Sequence, residues 1–400
     1  MMDASASRRR RPRGFSLIEL LVSMVIALVV TLAITTVMIQ GEGSKRSTSS
    51  VNEINQTGAY VAYVLDRQLR NAGSGFAQRW GDAFGCAVTA SRTGSGEPGL
   101  MLPRASAFPA PFANATQTPR LAPVLIVADG ANSGTDVRGD LLTIMAGSAG
   151  FGEMAQLVNT NSVSGTGSSG SLQLPNTVGY SVGDLVLLAD SSVAGGCLVE
   201  QVSGAPGGGL LQLSGTYYQQ SGNGVSIGSF GATTFAIQLG GASTNPPQFT
   251  IFGVGDQRTL YSYDLLRTGG SDAPVALADG VVEMRALYGI DTSATPDGKV
   301  DDWVQPTATN GYDAATLMSG TTAARDKLRR IVAVRLGLIL RTSLKEKQAV
   351  ATSQTLTLFG DLAAKRTRTL SSTDEAFYRF RTIEITVPLR NVLLAPEAAS

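Results

Sequence analysis

Residues 20–39, LLVSMVIALVVTLAITTVMI, form a run of twenty positions without a charge. As a helix this run spans about 30 Å, the thickness of a bilayer core. Beyond it the pattern changes from continuous to periodic. Val51, Ile54, Gly58, Val61, Leu65 and Leu69 recur at steps of three and four, which predicts that the helix continues with one apolar face. No proline occurs between Pro12 and Pro98, and Gly73 after Asn71 and Ala72 is a suitable stop. A single helix over 15–72 would be roughly 87 Å long. Gly41 and Gly43 weaken its middle.

After Gly73 the period falls to two. Short strands are expected at 124–128, 141–145, 185–188, 234–238 and 249–254, with glycine- and serine-rich pieces at 162–171 and 203–209 as loops. The last third is more regular. Val332, Val334, Leu336, Leu338 and Leu340 share one face of a half-buried strand, with Arg335 and Arg341 opposite. Further strands are expected at 281–288 and 377–387. These pieces predict an α+β fold: a long N-terminal helix, first apolar and then amphipathic, packed on a β-rich head with an antiparallel sheet. The expected divisions are 1–14, 15–39, 40–72 and 73–400.

Composition supports a folded head, since 43% of the 400 residues are hydrophobic and only 16% charged. The formal charge of +1 conceals an asymmetry. The first fourteen residues take five of the 32 basic and one of the 31 acidic residues, leaving 27 against 30 for the remainder. That remainder lacks the basic excess of a nucleic-acid binder, and no direct nucleic-acid binding is expected. Histidine is absent, which removes the commonest general base and the Ser-His-Asp arrangement.

The arginines Arg8, Arg9, Arg10, Arg11 and Arg13 precede the apolar run and are expected to stay in the cytoplasm, leaving the head outside. Glu19 lies immediately at the start of the run. A carboxylate within a membrane helix costs about 2.5–3.5 kcal/mol and so calls for a partner. An ordinary secretory signal has a shorter apolar core, and the arginines are wrongly spaced for a twin-arginine signal. The junction RGFSLIELLVSMVIALVV resembles the class III signal of type IV prepilins and pseudopilins. The resemblance implies cleavage by a prepilin peptidase between Gly14 and Phe15, methylation of Phe15, and pairing of Glu19 with the N-terminal amine of a neighbouring subunit. Many pilins carry a proline in the apolar segment. This chain has none, so no proline kink is expected.

A second resemblance covers more of the chain. The segments VAYVLDRQLRNAGSGF (61–76), VGDLVLLAD (182–190), LADGVVEMRALYGID (277–291), LRRIVAVRLGLILRT (328–342) and RFRTIEITVPLRN (379–391) resemble, in order, PilW-type minor pilins. That family implies a non-enzymatic subunit of the pilus priming and tip complex. Its implied partners are other minor pilins, the major pilin and a tip adhesin. Its implied location is the inner membrane, with the head in the periplasm, and then the pilus. Two other readings fit parts of the pattern: a minor pseudopilin of a type II secretion system, and a signal-anchored periplasmic enzyme or binding protein.

The candidate chemistry is sparse. An exported head favours a disulfide between Cys86 and Cys197, worth roughly 4–5 kcal/mol for so long a loop; two buried thiols are the alternative. Gly224-Val225-Ser226-Ile227-Gly228 matches the hydrolase elbow and Gly94–Gly99 spells a dinucleotide fingerprint, but neither has the strand-and-helix frame its chemistry needs. Asp291, Asp297 and Asp301, around Gly298, form a calcium candidate. Ser293 and Thr295 stand where acids would strengthen it, and a solvated turn is the alternative. No other cofactor is expected.

Overall fold

The computed structural model describes residues 14, 16–94, 99–133, 136–149, 155–159, 162–193, 196–351, 355–371 and 374–395. It places a helix over Leu17–Asn71 ahead of a β-rich head with antiparallel sheets, an α+β layout. Two compact units result, Met1–Glu53 and Ile54–Ser400. Within the first, the apolar side chains from Leu17 to Ile39 are exposed, and Val51 is half-buried.

In the second unit Ile54, Gly58, Val61, Leu65 and Leu69 form the buried stripe of the helix. Gly58 is there because the sheet comes too close for a side chain. A Cβ at that position would lie 2.2 Å from Ile383 Cδ1 and 3.6 Å from Leu340 Cδ1. The helix ends where Gly73 turns left-handed at φ +80°. Its N–H leaves the helical pattern and donates to Met145 O at 2.9 Å.

The helix stripe meets a four-stranded antiparallel sheet in the order Asp302–Val304, Val281–Ile290, Ile331–Arg341, Phe380–Pro388. Ile331–Arg341 is buried on both faces, against the half-buried strand expected. The reason is the excursion after Arg341. It folds back as the hairpin Thr355–Leu358 and Arg366–Thr369, and Leu358 and Phe359 cover Ile339 in a separate small core. The last strand begins at Phe380, later than the 377 expected. Glu375–Phe377 forms a 3-10 turn instead, because the Glu375 carboxylate accepts from Arg368 at 2.9 Å and from Ser371 N at 2.9 Å.

A five-stranded antiparallel sheet adjoins the first, ordered Val275–Asp279, Thr259–Asp264, Gln248–Val254, Leu141–Ala146, Val124–Val127. The two sheets meet at Asp140, which is 1% exposed. Its carboxylate accepts from Ala286 N at 2.9 Å and from the Arg285 guanidinium at 3.0 Å. A buried carboxylate needs such partners to be tolerated.

The third sheet has six strands: Gly99–Leu102, Val88–Arg92, Cys197–Gln201, Asp184–Ala189, Phe235–Gly241, Gln156–Leu157. Val88–Arg92 and Cys197–Gln201 run parallel within it. One face supports a second core of Val186, Leu188, Leu198, Leu211, Leu213 and Ile227. Of the low-complexity pieces, 203–209 is a loop as expected, but 162–171 is not. Ser164–Gly165 and Gly170–Gln173 pair with Leu210–Leu213 in a small sheet that closes this core, through buried Leu172 and Leu211.

Candidate functional site

At the N-terminal junction the helix is started by Ser16, whose hydroxyl accepts the Glu19 N–H at 3.2 Å, while Ser16 O accepts Leu20 N–H at 3.1 Å. Serine followed three residues later by glutamate is the spacing of a capping box. Ser16 therefore fixes the backbone that presents Glu19, and its signal was in the sequence as S-x-x-E. Glu19 is exposed, and no side chain among the described residues pairs with its carboxylate. Gly14 is also open: among the described residues, no atom lies within 4 Å of where a Cβ would stand. Phe15 lies outside the described residues.

The apolar segment that follows satisfies its own polar groups. Ser23 donates to Leu20 O at 2.9 Å, Thr31 to Ala27 O at 2.7 Å and Thr35 to Thr31 O at 2.7 Å. Thr36 likewise bonds a carbonyl of the preceding turn. Hydroxyls returned to the helix in this way can enter an apolar medium without an unsatisfied donor. Leu17–Asn71 is long and apolar enough to cross a membrane. The result is an apolar rod with a single carboxylate near its start.

The other candidate residues separate. Cys86 and Cys197 form a disulfide with Cα atoms 5.6 Å apart, joining the segment before Val88–Arg92 to the neighbouring parallel strand. Asp291, Asp297 and Asp301 do not converge on one point. Asp291 accepts from Ser293 N at 3.0 Å and Gly298 N at 2.8 Å, and Asp301 from Thr292 N at 2.8 Å. Asp297 pairs instead with Lys299, which holds its carboxyl below the ordinary range. Burial would raise Asp291, but the amides of Gly298 and Ser293 outweigh it and hold that carboxyl low as well. Among the described residues no group of three or more His, Cys, Asp or Glu is placed to hold a metal ion. Here carboxylate-to-amide bonds brace the turn.

The serine of the hydrolase-like pentapeptide caps a 3-10 turn, with Ser226 Oγ accepting from Gly228 N at 3.4 Å. It ends a two-residue strand with extended backbone and is followed by a three-residue 3-10 turn, not by the α-helix of a hydrolase elbow. In the dinucleotide-like segment, residues 95–98 lie outside the described residues.

Comparison with known families gives two matches. Residues 9–35 match the prokaryotic N-terminal methylation motif. Residues 247–391 match the Type IV Pilus-assembly protein W family. The second match takes in the whole four-stranded sheet and three strands of the five-stranded one. It contains the segments 277–291, 328–342 and 379–391, while 61–76 and 182–190 fall outside it. No curated protein and no solved structure matches the chain.

Proposed function

From the premise that this is a PilW-type prepilin, with the methylation motif at one end and the pilus-assembly family at the other, we propose that it is a minor pilin that helps initiate a type IV pilus and is built into it. The methylation motif implies processing by a prepilin peptidase and assembly with other pilins. In this reading 1–14 is a leader removed after Gly14, and the new N-terminal Phe15 is methylated. Residues 15–39 enter the filament core, 40–72 carry the head, and 73–400 face the periplasm and then the cell surface.

One observation carries the reading: Glu19 is exposed at the head of an apolar helix that satisfies its own hydroxyls. A lone carboxylate is costly in an apolar bundle unless a charge meets it. A neighbouring subunit's N-terminal amine, freed by cleavage after Gly14, is a cation at the right depth. The priming role rests on the family of residues 247–391 and on the size of the head. A large head repeated along a thin filament would crowd it, which suits a subunit used in few copies.

The test is Glu19→Val, expressed in the native host. Leader removal continues, while the protein disappears from sheared filaments and stays in the inner membrane. Undiminished Glu19→Val in the filament fraction contradicts the role of the carboxylate.

A further inference from the structure

A cleft of about 260 Å³ opens beside the strand Thr259–Asp264, between the segment 100–108 and the loop that follows the strand. Its lining combines apolar Leu100, Met101 and Leu265 with charged Arg104, Arg267 and Asp272. Of the charged residues, Arg104 is already neutralised. Its two terminal nitrogens reach the oxygens of Asp272 at 2.7 and 2.9 Å, and one also reaches the Tyr263 hydroxyl at 2.8 Å.

Arg267 is different. Its backbone is held left-handed at φ +50°, where a side chain is costly unless the surroundings impose it. They do so through Asp264, which accepts from Leu266 N at 3.0 Å and Thr268 N at 2.7 Å, and through Arg92, which donates to Arg267 O at 2.8 Å. Arg267 so placed lines the cleft, and its side chain is only 13% exposed. Its nearest carboxylate oxygen, Asp272 Oδ1, is 3.9 Å away, beyond hydrogen-bond range. Its Nε is buried without a hydrogen bond, and its ion-pair partner among the described residues, Asp272, is already hydrogen-bonded by Arg104 and by the Tyr263 hydroxyl. A largely buried cation in that condition favours an incoming anion.

We propose that this cleft binds a monocarboxylate with an apolar body, its carboxylate on Arg267 and its body against Leu100, Met101 and Leu265. Asp272 sets the charge of the ligand. A dianion such as phosphate would face that carboxylate at close range, whereas a single negative charge is balanced by Arg267. Free organic acids and polypeptide C-termini share this chemistry.

The test uses the full chain in lipid nanodiscs at pH 7, with saturation-transfer NMR of N-acetyl-leucine and of N-acetyl-leucinamide. The acid is expected to bind about tenfold more tightly than the amide, the value of one charge-assisted hydrogen bond. Arg267→Gln should abolish that preference without moving the unfolding midpoint. Ala105→Trp, an exposed position on the rim, should exclude both probes and serves if Arg267→Gln unfolds. A peptide ending in leucine distinguishes the sources: tighter binding than N-acetyl-leucine assigns a polypeptide terminus, and equal binding a free acid. No acid preference in the natural chain means that the protein satisfies Arg267 itself and overturns the proposal. A preference that survives in folded Arg267→Gln overturns it too.

Discussion

The backbone N–H of Ile126 donates to the hydroxyl oxygen of Tyr288 at 2.6 Å, with both residues fully buried. Ile126 belongs to the strand Val124–Val127 at the edge of the five-stranded sheet, and Tyr288 to Val281–Ile290 in the four-stranded one. A tyrosine hydroxyl thus takes the place of a strand neighbour for an edge amide. Burial pushes the phenol well above its ordinary pKa, so it stays neutral. Tyr288→Phe leaves the Ile126 N–H buried and unpaired, and should cost about 1–3 kcal/mol in urea unfolding. A change below about 0.5 kcal/mol would mean that the sheets are joined by packing alone.

Gly58 should resist enlargement. Away from the sheet, replacing a helical glycine would stabilise the helix by a few tenths of a kcal/mol or more. Here the new Cβ would stand 2.2 Å from Ile383 Cδ1, so Ile383 must leave its position against the helix. Gly58→Val is expected to lower stability by about 1–3 kcal/mol, as overpacking does. The same substitution at Ala59, on the exposed side, should change stability by less than about 0.7 kcal/mol. Equal effects at the two positions would contradict the packing.

Loss of the disulfide should be felt across the six-stranded sheet. Cys86 and Cys197 close a loop with a sequence separation of 111. Replacing both by alanine should cost about 2–5 kcal/mol. Denaturant unfolding with and without reductant checks this: the natural chain should lose stability on reduction, and the double variant should not respond.

Asp272 gives a pH signature. Its hydrogen bond from Arg104 is the main cause that lowers its carboxyl from an ordinary 3.8 to about 2. A depressed carboxyl pKa stabilises the fold above the unfolded value and loses that contribution as pH falls through the folded one. The advantage of the natural chain over Asp272→Asn should therefore be full above about pH 4 and fade between pH 4 and 2. The side chain is 41% exposed, so the effect is modest. A pH-independent difference would show that the pair does not perturb Asp272.

Periodicity made the helix and the regular last third legible. Ile54, Val61, Leu65 and Leu69 mark a helix face, and the alternation through Leu336 and Leu338 marks a strand, because each records burial at a fixed local period. What periodicity cannot carry is contact between distant segments. Nothing near Ile339 announces Leu358 and Phe359 on its second face, and the serine-glycine pieces gave no sign that Leu172 and Leu211 close a second core. The parallel pairing of Val88–Arg92 with Cys197–Gln201 is equally non-local. At the candidate site Glu19 was visible as a charge out of place. Ser16 was visible in principle, through its three-residue spacing to Glu19. The Asp291 turn shows the opposite case, since acids around a glycine read as a cation loop until their oxygens are seen on backbone amides.

The most direct test of the account is the N-terminus and mass of the protein in sheared surface filaments from its native host. A chain beginning at methylated Phe15 in that fraction is the expected result, because it requires both cleavage after Gly14 and incorporation. A chain that keeps Met1 or Met2, and is found only in the inner membrane of cells with an active prepilin peptidase, would contradict it.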